Sequence, residues 1–246
     1  MDPSSAAAAL FWGALSSASL YLGQLLAKPL GRSERATGLM MGFGAGTLLS
    51  AVAYELIPRA RLEETWATAV AFLAGAVVYY AADQVLDRRG GGSRQSIQQG
   101  MGAEGSGSAM FLGALLDGVP EAFILGLTLA LGGSISVAFL AAVFVSNIAQ
   151  GLAGTTSLQE AGTSDRRIFW MWTGLTAVCG LASLLGFLTA DRLTHASAIA
   201  EGFAGGAVLV MLADSMMPEA FHHGGRAVGL LTVVGFLVAG ILTVVQ

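Results

Sequence analysis

The stretch GFGAGTLLSAVAYELIPRA, Gly42 to Ala60, decides the fold. It carries no charge before Glu55 and is about as long as the roughly 20 residues a helix needs to cross a hydrocarbon core of roughly 30 Å. It returns later as GFAGGAVLVMLADSMMPEA, Gly202 to Ala220. Laid over each other without a gap, the two share Gly42/Gly202, Phe43/Phe203, Gly46/Gly206, Leu49/Leu209, Ala53/Ala213, Pro58/Pro218 and Ala60/Ala220. Seven identities in nineteen point to an internal repeat, the alternative being chance Gly and Ala matches in apolar sequence.

Apolar runs of the same kind fill the sequence on both sides. Of 246 residues, 54% are hydrophobic and 11% charged, with a mean hydropathy of +0.70. A soluble domain carries roughly 25% charged residues, so a water-soluble globule is excluded. Breaks at charges, Gly and Pro predict an all-α, polytopic membrane protein whose eight transmembrane helices cover 7–28, 38–58, 65–86, 109–131, 135–158, 168–189, 198–218 and 227–245. The leading MDPSSAAAALFWGAL has an acid and no base before its apolar run, unlike a signal peptide, and reads as the retained first helix. Residues 1–246 then form one transmembrane domain. The segment 87–108, DRRGGGSRQSIQQGMGAEGSGS, reads as a flexible cytoplasmic loop between the third and fourth helices.

With the N-terminus outside, the inner connections hold Lys28, Arg32, Arg35, Arg88, Arg89, Arg94, Arg166, Arg167 and Arg226, and the outer ones only Arg59, Arg61 and Arg192. The positive-inside rule therefore puts both termini outside. Helix two then runs outward and helix seven inward, so the repeated units have opposite topology, as in many secondary transporters. A fainter echo joins LLDGVPEAF from Leu115 to FVSNIAQGL from Phe144. The expected bundle is an inverted repeat of three, two and three helices, with helices four and five at its centre.

A carboxylate in the middle of a spanning helix costs roughly 2.5 to 3.5 kcal/mol on insertion scales, so each must face a cavity, a partner or an ion. Asp117 and Glu121 lie four residues apart on one face of helix four, and Pro120 between them frees a backbone carbonyl one turn back. Oxygen ligands of this kind suit a divalent cation such as manganese, iron or magnesium, or zinc in mixed company. On helix five, Ser146, Asn147 and Gln150 offer neutral oxygens; the alternative is ordinary hydrogen bonding between helices. Asp214 and Glu219, with His222 and His223 just beyond, mark the inner end of helix seven as either an exit site or a solvated helix end. Glu55 either lines an entrance or snorkels to the surface. The single cysteine, Cys179, reads as packing.

No hydrolase, dehydrogenase or nucleotide-binding motif occurs, so an enzyme is not expected. The bases form no stripe, so nucleic acid is not an expected partner.

The segments LDGVPEAFILGL and SNIAQGL resemble the paired metal-site motifs of the ZIP family of divalent metal transporters, typically His-Asn-x-Pro-Glu-Gly on helix four and His-Glu-x-Pro-Glu-Gly on helix five. ADSMMPEAFHHGG is similar to the helix-seven signature of its bacterial members. Asp117 stands at the family's His and Gly118 at its Asn, while Pro120 and Glu121 are kept. Ser146 and Asn147 replace the first two helix-five ligands, Ala149 the proline and Gln150 the second glutamate. The resemblance implies a carrier of divalent cations toward the cytoplasm, zinc first, with iron, manganese or cadmium as further cargo, in a bacterial inner membrane. Its ligands would be Asp117, Glu121, Ser146, Asn147 and Gln150, with Asp214, Glu219, His222 and His223 on the inner side. The departures at Gly118, Asn147 and Gln150 imply a single ion at most, and those at Ala149 and Gln150 leave a non-transporting scaffold or sensor as the alternative. The partners expected are metal ions, the lipid bilayer and, in a homodimer, a second copy.

Overall fold

The computed structural model describes residues 5–31, 33–60, 65–86, 103–132, 135–193 and 197–245. They are helical, with no strand among the described residues. Among the described residues, eight helices are long and apolar enough to cross a membrane. We number them α1 (Ala6–Leu30), α2 (Glu34–Ala51, continued by Val52–Leu56 and Ile57–Ala60), α3 (Trp66–Leu86), α4 (Ala103–Gly132), α5 (Val137–Glu160), α6 (Asp165–Leu193), α7 (Ser197–Met211, continued by Leu212–Met216 and Met217–Gly224) and α8 (Ala227–Val245). The protein is thus an integral membrane protein of the all-α class.

Local chemistry sets several helix starts. Ser5, Ser33 and Ser136 are extended residues whose hydroxyls accept from the N–H groups of Ala8, Ala36 and Phe139, each satisfying one donor that the first helical turn leaves open. α7 ends at Gly225, whose φ of 66° lies in the left-handed region where a side chain is strained.

Two expected boundaries shift. α4 begins at Ala103, inside the segment read as loop, because a helix propagates from its apolar run through weak formers once nucleated; 87–102 lies outside the described residues. α7 does not stop at Pro218 but runs on to Gly224. In both α2 and α7 the proline follows a five-residue π segment, Val52–Leu56 before Pro58 and Leu212–Met216 before Pro218. The wider π turn re-routes the carbonyls that a proline would otherwise leave unpaired or strike, so the chain continues past it.

The two π segments stand at the same interval as Gly42 and Gly202, and the packing repeats at that interval too. A Cβ on Gly46 of α2 would run into the carbonyl of Thr232 on α8, and one on Gly235 of α8 into the carbonyl of Phe43. Likewise a Cβ on Gly206 of α7 would run into the carbonyl of Phe72 on α3, and one on Gly75 of α3 into that of Phe203. All four positions of the first set have their counterparts in the second at one constant spacing. Only glycine permits backbones this close, as in small-residue helix contacts of membrane bundles.

A second matched pair of glycine contacts joins α4 to α6 through Gly126 and Gly186, and α5 to α1 through Gly151 and Gly23. α4 also touches α1, α3, α5 and α7, which places it inside the bundle. The largest core cluster runs from α2 through α5 to α7, with Met41, Leu48, Leu56, Phe139, Val143, Met211 and Met216 all buried.

Candidate functional site

Asp117 and Glu121 are both buried on α4, at 5% and 1% exposure. Their environments differ. Asp117 Oδ1 accepts a short hydrogen bond from the Tyr79 hydroxyl on α3. Neither oxygen of Glu121 has a hydrogen-bond partner among the described residues, although both are sealed from solvent. A buried charged carboxylate without partners costs several kcal/mol even after the protein relaxes. Such a group is either kept neutral or answered by a positive ion.

Each residue flagged on α5 is buried, and two of them have partners away from α4. The Ser146 hydroxyl points to the Met216 thioether of α7 at 3.9 Å, a weak contact. The Asn147 amide nitrogen donates to the Ser16 carbonyl of α1 at 3.0 Å, which braces α1 against α5. Gln150 is 8% exposed. Gly44 of α2 closes this junction, since a Cβ there would meet Met216 and the Ser146 backbone at 3.1 Å each.

On α7 the four flagged residues do not stay together. Glu219 and His223 pair, with His223 Nε2 2.6 Å from Glu219 Oε1, and His223 Nδ1 reaches Glu34 Oε2 of α2 at 3.4 Å. His222 is exposed and stacks edge-on against His223 with ring centres 4.7 Å apart. Asp214 is exposed within the π segment, outside the Glu219–His223 pair. Glu55, by contrast, is buried at 7% and engaged, so it does not snorkel. Among the described residues no three His, Cys, Asp or Glu side chains converge closely enough to hold an ion.

Several participants carried no mark in the sequence reading. Tyr79 and Asp83 fall four residues apart on one face of α3, and Asp83 is buried at 4%. Glu201 near the start of α7 is buried at 6%. Both acids are engaged. The i, i+4 spacing of Tyr79 and Asp83 was the signal available for the first.

Beyond its class as an integral membrane bundle of apolar helices, the chain is similar to a plant protein. It is 27% identical over 192 residues to an Arabidopsis thaliana protein named "Putative zinc transporter"; the match covers 76% of this chain and 30% of that protein. The chain therefore spans less than a third of that relative's length. No protein-family model matches the chain.

Proposed function

We propose that the protein moves divalent metal cations across a membrane, with Glu121 as the residue that meets the ion inside the bundle. The observation that carries this reading is the pair of buried, unpartnered Glu121 oxygens, which a cation would satisfy. Asp117 is the second acid, released from Tyr79 when an ion arrives, and Ser146 and Gln150 contribute neutral oxygens from α5. Zinc is the first cargo on this reading, supported by the name of the Arabidopsis relative. Iron, manganese and cadmium follow from the oxygen donors. Asn147, engaged with Ser16, acts as a brace rather than a ligand.

The direction is toward the cytoplasm, where Glu219, His222 and His223 receive the ion. In this account the chain is an inverted three-two-three repeat of the ZIP type, and the recurrent glycine contacts and twin π segments support it. Alternating access comes from α1, α4, α5 and α6 moving against α2, α3, α7 and α8, in a bacterial inner membrane with both termini outside.

The test is uptake of radiolabelled zinc, manganese and iron into proteoliposomes, comparing the parent with Glu121→Ala. Flux that depends on Glu121 supports carriage. Equal flux in both proteins removes the transport assignment from this residue.

A further inference from the structure

The thiol of Cys179 lies against the same face of α4 that carries Glu121. Cys179 sits on α6, fully buried at 0% exposure. A Cβ on Gly118 would stand 3.1 Å from Cys179 Sγ, and Sγ is the one atom it would meet. Gly118 precedes Glu121 by three residues and so shares its helix face. The absent side chain at 118 therefore leaves the thiol open toward that face. Ser17 of α1 lies beside the sulfur. Three elements thus meet here, α6 with the thiol, α1 with the Ser17 hydroxyl and α4 with the face that carries Glu121.

We infer that Cys179 and Glu121 together form a mixed thiolate and carboxylate subsite for a thiophilic divalent cation, zinc or cadmium in preference to magnesium or manganese. The charges balance at this subsite while Asp117 is still held by Tyr79: the thiol proton leaves to water as the sulfur–metal bond forms, and one thiolate with the Glu121 carboxylate neutralises a doubly charged ion. Neutral pairing suits a site from which water is excluded. Soft sulfur ligands select zinc and cadmium over cations that prefer all-oxygen shells. The unpartnered Glu121 oxygens supply the second, independent sign of a ligand. This inference rests on the transport reading only for the claim that the bound ion is cargo.

Because Cys179 is the one cysteine in the chain, a thiolate-to-metal signal reports this site alone. Purified full-length protein titrated with cadmium or cobalt(II) is expected to show an ultraviolet charge-transfer band, and manganese none. Cys179→Ser, nearly the same size, is expected to abolish the band and to lower cadmium affinity relative to manganese at least about tenfold. Cadmium binding by the parent without that band overturns the inference, whether or not the variant folds. An unchanged cadmium-to-manganese ratio in Cys179→Ser overturns it as well. Glu121-dependent uptake without the band defeats this subsite and leaves transport standing. The band without Glu121-dependent uptake does the reverse.

Discussion

Replacing Glu121 with glutamine keeps the shape of the side chain and deletes its charge. In the parent both carboxylate oxygens are buried, at 1% residue exposure, with no donor to meet them. Without a cation the charge is a liability worth several kcal/mol when ionised, so the metal-free variant is expected to be at least as stable as the parent. With a cation the order reverses. At a hundred times its dissociation constant, a ligand that binds only the folded state adds about 2.7 kcal/mol of stability. Losing a direct charged ligand weakens binding at least about tenfold, the lower bound for an outer-shell partner, so at the same zinc concentration the variant gains at most about 1.4 kcal/mol. Thermal unfolding in detergent, with and without zinc, reads both effects. A variant that is markedly less stable without metal, yet gains as much as the parent from zinc, would refute the reasoning.

Tyr79→Phe removes the hydrogen bond to Asp117; it is expected to lower metal-free stability by about 1.5 to 3 kcal/mol while tightening zinc binding, since Asp117 is released, and isothermal titration with unfolding curves checks both signs. Asn147→Asp puts a carboxylate against the Ser16 carbonyl where an N–H now donates, with an expected loss of about 1 to 3 kcal/mol in the same unfolding assay. Gly206→Ala and Gly46→Ala drive a methyl into the facing backbone at Phe72 and Thr232, and each is expected to cost about 1 to 3 kcal/mol. Gly162→Ala serves as their contrast, having nothing within 4 Å but a φ of 79°, so its smaller loss comes from backbone strain alone.

The spanning helices were legible because lipid imposes a length and a composition on each of them, and the eight apolar runs obey both. The repeat around Gly42 and Gly202 was visible as identities, but its extension into α3 and α8 was not. There the matched positions are Gly75 with Gly235 and Phe72 with Thr232, and the second pair keeps only a backbone carbonyl in common. The π segments left no trace in the residue pattern, since one wide turn does not alter apolar spacing enough to register. They explain why Pro218 failed to end α7. Asp117 and Glu121 stood out by the cost of burying charge, yet their different fates, one engaged with Tyr79 and one unpartnered, depend on a neighbouring helix. Cys179 read as packing because the sequence does not show that its sulfur faces the bare Cα of Gly118.

The central claim is that a divalent cation meets Glu121, and an experimental structure of the metal-soaked protein with anomalous scattering locates such an ion directly. The account predicts an anomalous peak within bonding distance of a Glu121 oxygen, with the Asp117 side chain withdrawn from Tyr79 toward it. Peaks confined to His222, His223 and Glu219 at the helix end, with none at Glu121 in a fully loaded protein, would contradict it.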